Sequence, residues 1–250
     1  MNADFLTTDG AVYNLFPLTV SHFKLQIDKD ERQKLVDEIQ LMHRKSLLTE
    51  LETETSFYNP NKAWTGDVHG QEFLFSNPKF DNISSLISQA IYKYLKNLSI
   101  NTEYMNLYYQ RTWATLTKEK QNIMFHTHAQ SNISFVYFLV KPKNSGGTIF
   151  KETEAPNEFC KHLFSLNGKK KSFISESTPF NTNEVLFDVE QDSVLIFPSK
   201  SLHGTEPNES KHLRISLSGD IAIMLSESQG FEILMPDFKF WKELHKPQKI

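Results

Sequence analysis

The chain has 250 residues and a net charge of −3, with 27 Lys and Arg against 30 Asp and Glu, so its charge does not favour nucleic acid or an anionic membrane as a partner. At 39% hydrophobic and 23% charged residues it has the composition of a globular protein, and its length suits a single domain over residues 1–250. Cys160 is the only cysteine, which excludes an internal disulfide and a cysteine-based zinc cluster. The longest apolar run, Ile133 to Val140, is far too short to span a bilayer. No basic region followed by an apolar stretch opens the chain, so a cytoplasmic location without membrane attachment is expected.

Taken in order, residues 11–26 alternate apolar and polar types around Pro17, which predicts a short edge strand followed by a second strand. Asp28 with Glu31 three residues on has the form of a capping box, and the helix it starts would turn Leu35, Val36, Ile39 and Met42 inward. Asp81 or Asn82 can cap a second helix facing inward through Ile83, Leu86, Ile87, Ala90, Ile91, Tyr94, Leu95 and Leu98. Residues 50–80, rich in Asn, Pro, Gly and Thr, read as irregular. After residue 100 the pattern changes. Short β-rich runs at 103–116, 123–128, 133–140, 147–151, 171–175, 184–188, 193–198 and 212–224 are separated by turn residues, the density expected of a sandwich or barrel. The plan is mainly β with flanking helices: strands and two helices over 1–100, a β core over 101–225, and a tail over 226–250.

Among nine histidines, His22, His43, His69, His162, His212 and His245 stand in isolated polar or irregular contexts. Phe125-His126-Thr127-His128 differs, because alternate residues of a strand share a face and both imidazoles can reach one ion. The buried-strand pattern of Ser193 to Pro198 leads to His203, and the chain resumes as a strand through Arg214 and Ser216. A buried Arg214 beside the strand of His203 needs an anion. A dicarboxylate would satisfy it bidentately, and Ser216 on the same face could share that carboxylate. An exposed arginine, or one paired with Glu206 or Glu209, is the plain alternative.

In order and spacing these residues resemble the Fe(II)/2-oxoglutarate dioxygenases, and more closely a branch of that superfamily with an H-x-H motif. The resemblance rests on Leu15-Phe16-Pro17, Trp113, His126-Thr-His128, Ser134-Phe-Val-Tyr137, Gly146-Gly147 and Phe197-Pro198-Ser199 before His203, and runs from about residue 12 to 222. It implies a double-stranded β-helix (jelly-roll) core preceded by two helices, with Fe(II) as the metal cofactor and 2-oxoglutarate and O2 as co-substrates. His126, His128 and His203 would hold the metal. Arg214 and Ser216, with Tyr137 as a further candidate, would bind 2-oxoglutarate, and Trp113 would line a substrate pocket unless it is simply core. The departure is His128, which stands where the facial triad carries a carboxylate; either it ligates, or a water or distant carboxylate serves instead. The implied reaction is hydroxylation of a small-molecule or peptidyl substrate, and self-association is left open. The rivals are a cupin-like three-His dioxygenase that does not use 2-oxoglutarate and a non-catalytic jelly-roll metal-binding protein.

Overall fold

The computed structural model describes residues 15–53, 62–164, 173–176, 178, 180–227, 230 and 232–244. Strand β1 (Ser21–Lys24) is followed by helix α1 (Lys29–Thr53), strand β2 (Trp64–Thr65) and helix α2 (Asp81–Asn97). The β-rich part then runs through β3 (Met105–Thr117), β4 (Ile133–Val140), β5 (Thr148–Lys151), β6 (Glu184–Phe187), β7 (Ser193–Pro198), β8 (His203–Thr205), β9 (Arg214–Leu225) and β10 (Met235–Pro236). The fold is mainly β, as expected. A seven-stranded sheet has the order β1-β7-β4-β9-β3-β2, with β10 beside β9, and a three-stranded sheet has the order β6-β5-β8. Apart from the β9–β10 pair, all of these pairings are antiparallel.

The large sheet is covered on one face by the helices and on the other by the small sheet. Phe135, Tyr137 and Leu139 of β4, Val194 and Ile196 of β7, and Ile215, Leu217 and Ile221 of β9 share one cluster with Leu35 and Ile39 of α1 and Ile83, Ile87 and Ile91 of α2. The alternate residues Phe138, Leu195 and Phe197 pack instead with Phe150 of β5. Two covered faces explain why β4 and β7 read as continuous apolar runs.

The Asp28 cap forms, with Oδ1 accepting from the Glu31 amide at 2.8 Å, and Leu35 and Ile39 are buried while Val36 and Met42 pack at the edge. Helix α1 extends into the stretch expected to be irregular. Leu98, expected to face inward, is 37% exposed, because α2 ends at Asn97. Of the two strands expected in 11–26, β1 forms; residues 15–20 carry no strand, and 11–14 lie outside the described residues. The described part of 171–175 carries no strand either. The run 123–128 is not a strand but forms a single bridge, His126 to His203, and His203 itself opens the three-residue β8. At the turn after β4, Gly146 has φ +73°, and a Cβ on Gly147 would lie 2.4 Å from the Phe187 carbonyl oxygen, so both positions require glycine.

Candidate metal centre

A β-bulge sets one wall of the site. Leu107 and Tyr109 of β3 pack with the helix-side cluster, but the register with β9 shifts between Tyr109 and Arg111. The extra residue reverses the alternation, so Arg111 reaches Asp220 and Trp113 stacks on His128, both on the inner face. On β9, Arg214, Ser216, Ser218 and Asp220 occupy alternate positions, opposite in phase to the helix-side Ile215, Leu217 and Ile221.

His126, His128 and His203 come together, with one ring nitrogen of each within 4.8 Å of the others. Ring centroids are 4.4 Å apart for His126 and His203, 4.9 Å for His126 and His128, and 5.2 Å for His128 and His203. Each Nδ1 faces an acceptor: the Met124 carbonyl for His126 (2.8 Å), the Ser201 carbonyl for His203 (2.9 Å) and Asp220 Oδ1 for His128 (2.6 Å). Carbonyl and carboxylate oxygens only accept, so each Nδ1 carries a proton, and in the neutral ring Nε2 is left to present its lone pair. The His128 Nε2 is buried and has no hydrogen-bond partner among the described residues, so that nitrogen is available to a ligand.

Burial pushes His126 below its ordinary value, and it pushes His203 down to about 4, which keeps both rings neutral near pH 7. Burial also pushes the Asp220 carboxyl up. Hydrogen bonds from His128, Arg111 and Ser134 outweigh it and hold Asp220 below the usual carboxylate range.

The three rings lie in a cleft of about 860 Å³ whose walls include Trp64, Asp67, Arg111, Trp113 and Phe125, with Thr115, Thr148 and Thr205 on the β side. Thr148 Oγ1 is buried without a partner. Behind Thr205 lies Arg214, 2% exposed. Its Nη2 donates to Thr205 Oγ1 at 2.9 Å, and its Nη1 to the Ser145 carbonyl at 2.6 Å and the Gly146 carbonyl at 3.2 Å. Burial pushes its pKa down to about 10, and among the described residues no carboxylate is within ion-pair distance. Arg214 does not stand beside the strand of His203 as a pairing partner, since β9 pairs with β3 and β4; it reaches β8 through its side chain.

The expected residues divide. The three histidines and Trp113 line the cleft; Arg214 and Ser216 face inward on β9 without contributing to its wall. Tyr137 is excluded from it. Its ring lies in the helix-side cluster and its hydroxyl donates to Asp192 Oδ1 at 2.9 Å, on the opposite face of β4. Asp220, Arg111, Thr148 and Thr205 were missed. The polar stripe at alternate positions 214, 216, 218 and 220 of an otherwise apolar strand was the signal for Asp220.

Residues 111–220 match the model of the family described as "Putative 2OG-Fe(II) oxygenase", so the resemblance carried by the motifs is borne out over that stretch. Among curated proteins no sequence match is found. Similar solved structures include a 2OG-Fe(II) oxygenase family oxidoreductase from Burkholderia pseudomallei, at 13% identity, covering 58% of each chain, with a TM-score of 0.39. HygX from Streptomyces hygroscopicus, solved with nickel and 2-oxoglutarate bound, has 10% identity over 82% of each chain and a TM-score of 0.45. A prolyl-4-hydroxylase from Pseudomonas putida has 12% identity over 81% of this chain and 92% of that one, with a TM-score of 0.46. The chain thus spans just over half of the first of these proteins and most of the other two. No helix among the described residues is long and apolar enough to cross a membrane.

Proposed function

We propose that this chain, whose residues 111–220 carry the sequence of a 2OG-Fe(II) oxygenase family, is a single-domain Fe(II)- and 2-oxoglutarate-dependent oxygenase with the two sheets forming a jelly-roll core. The observation that carries the reading is the convergence of three imidazoles, each with Nδ1 engaged, at one point of a cleft. Imidazole suits iron among several divalent metals, and three ligands leave coordination positions open for co-substrate and O2. Bound there, iron(II) supplies oxidation by O2 coupled to decarboxylation of 2-oxoglutarate to succinate and CO2, and hydroxylation is the outcome we assign. His126, His128 and His203 hold the metal. The unpartnered Thr148 hydroxyl, with Thr205 backed by Arg214, offers the far carboxylate of the co-substrate hydrogen bonds and positive charge from the β side. Trp113 and Phe125 supply apolar wall that excludes water. The substrate is a small molecule or a peptidyl side chain.

Anaerobic titration of metal-free protein with Fe(II), with and without 2-oxoglutarate, tests this. The expected result is a visible metal-to-ligand charge-transfer band that requires both components. Stoichiometric metal uptake with no such band would instead favour a cupin-like or structural-ion role.

A further inference from the structure

We infer that Asp220 is the positioning carboxylate of this site, holding His128 as the Nε2-donating ligand and supplying, one hydrogen bond away from the metal, the negative charge that His128 itself does not carry. The inference rests on the metal-binding reading above. The position next to His126 that a facial triad fills with a carboxylate holds an imidazole here. Of the three rings, only that one is wired to an anion. His126 and His203 donate to the neutral carbonyls of Met124 and Ser201, whereas His128 donates to Asp220 Oδ1 at 2.6 Å.

Asp220 is fully buried, and each of its oxygens is engaged. Oδ1 also accepts from Ser134 Oγ at 3.0 Å, and Ser134 Oγ in turn lies 2.8 Å from Ser199 Oγ. Oδ2 accepts from Arg111 Nη2 at 2.8 Å and Nε at 3.3 Å. The guanidinium of Arg111 lies 5.2 Å from the Trp113 ring centroid, and Trp113 stacks on His128 at 5.7 Å and 18°. His128 is therefore held at its edge by Asp220 and on its face by Trp113, and the Arg111 that anchors the carboxylate also anchors the indole. An imidazole that donates to a carboxylate is a stronger donor through its other nitrogen, and it cannot flip its tautomer without breaking that bond. The alternative role for Asp220 is purely structural, as the buried counter-charge of Arg111.

Co(II) titration followed by visible ligand-field absorption, in the full-length protein, separates the two. Asp220→Asn is expected to weaken Co(II) binding by roughly 10–100-fold, while in a His128→Ala background the same substitution leaves the remaining affinity unchanged. An equal loss in both backgrounds, or no loss in either, overturns the inference. Should the Asp220 variant not fold, histidine ¹⁵N NMR of the Zn(II)-loaded protein reads the tautomer directly, with His128 assigned by its loss in His128→Gln. A proton on Nδ1 is the expected result, and a proton on Nε2 overturns the inference. If the unaltered protein takes up no Co(II), the metal site itself falls; if it binds Co(II) and D220N binds as tightly, only the role of Asp220 falls.

Discussion

His126 and His203 are hydrogen-bonded neighbours across an antiparallel bridge, the amide of each donating to the carbonyl of the other at 2.9 and 3.0 Å. Two imidazoles far apart in the chain are thereby placed 4.4 Å from one another by the backbone itself. Neither residue can shift without breaking both bonds, so the rigidity a metal centre needs is supplied by main chain. His128 is tied in similarly, its amide donating to the Ser199 carbonyl at 3.0 Å.

Restoring the usual carboxylate should not improve this site. His128→Asp would place a second carboxylate beside Asp220, which is buried and already ionised. Like charges at that range force one group to take up a proton. The variant is expected to lose about 2 kcal/mol of stability and to bind metal less tightly than the double variant H128D/D220N. Thermal unfolding and Co(II) titration of the pair check both statements.

Arg214 and Thr148 should separate architecture from ligand binding. Arg214→Met removes donors from the Ser145 and Gly146 carbonyls and from Thr205, and is expected to cost about 3 kcal/mol of stability together with the 2-oxoglutarate response. Thr148→Val removes a buried hydroxyl that has no partner. It is expected to leave stability unchanged or raise it by up to ~1 kcal/mol, while weakening 2-oxoglutarate binding by about 5–10-fold. Calorimetric titration of metal-loaded protein with 2-oxoglutarate, beside denaturant unfolding, measures each part.

Tyr137→Phe should leave 2-oxoglutarate affinity where it was. Among the described residues the hydroxyl it loses bonds only to Asp192, which keeps its 2.6 Å contact with Arg32. A stability loss of about 1 kcal/mol is expected, and a selective loss of co-substrate affinity would return Tyr137 to the site.

Metal-free protein should be acid-sensitive over a defined window. His203 titrates at about 4 when folded against 6.5 for the unperturbed ring, because burial disfavours its charged form. The unfolded chain therefore binds the proton first. Stability is full above pH about 6.5 and falls as the pH drops towards about 4. The folded ring is already neutral across that window, so a bound divalent ion displaces no proton from it and adds its stability as an offset: metal-loaded protein should unfold at a higher temperature at each pH, with a similar fall towards acid. Parallel unfolding curves at pH 7.5 and 5 with and without Zn(II) test this, and no rise of the midpoint with Zn(II) at either pH would count against the assignment.

The mainly β plan, the α1 cap at Asp28 and the inward faces of both helices are legible in the chain's local pattern, because they depend on periodicity and on groups three or four residues apart. Residue type and order also single out His126, His128 and His203. Which face of each strand meets the cleft depends instead on contacts between distant strands. The bulge between Tyr109 and Arg111 reverses the alternation of β3 and brings Arg111 and Trp113 inward, and no single-strand pattern locates a bulge that is defined by a partner strand. Tyr137 lies in an apolar run buried on both sides, where alternation carries no contrast, and its place under α1 follows from what packs on each face of β4. Asp220 acquires its role because β9 sets it against His128 and β3 sets Arg111 against it. Contacts of that range belong to the closed sheet, where burial makes each ion pair and hydrogen bond count, and not to any local stretch of chain.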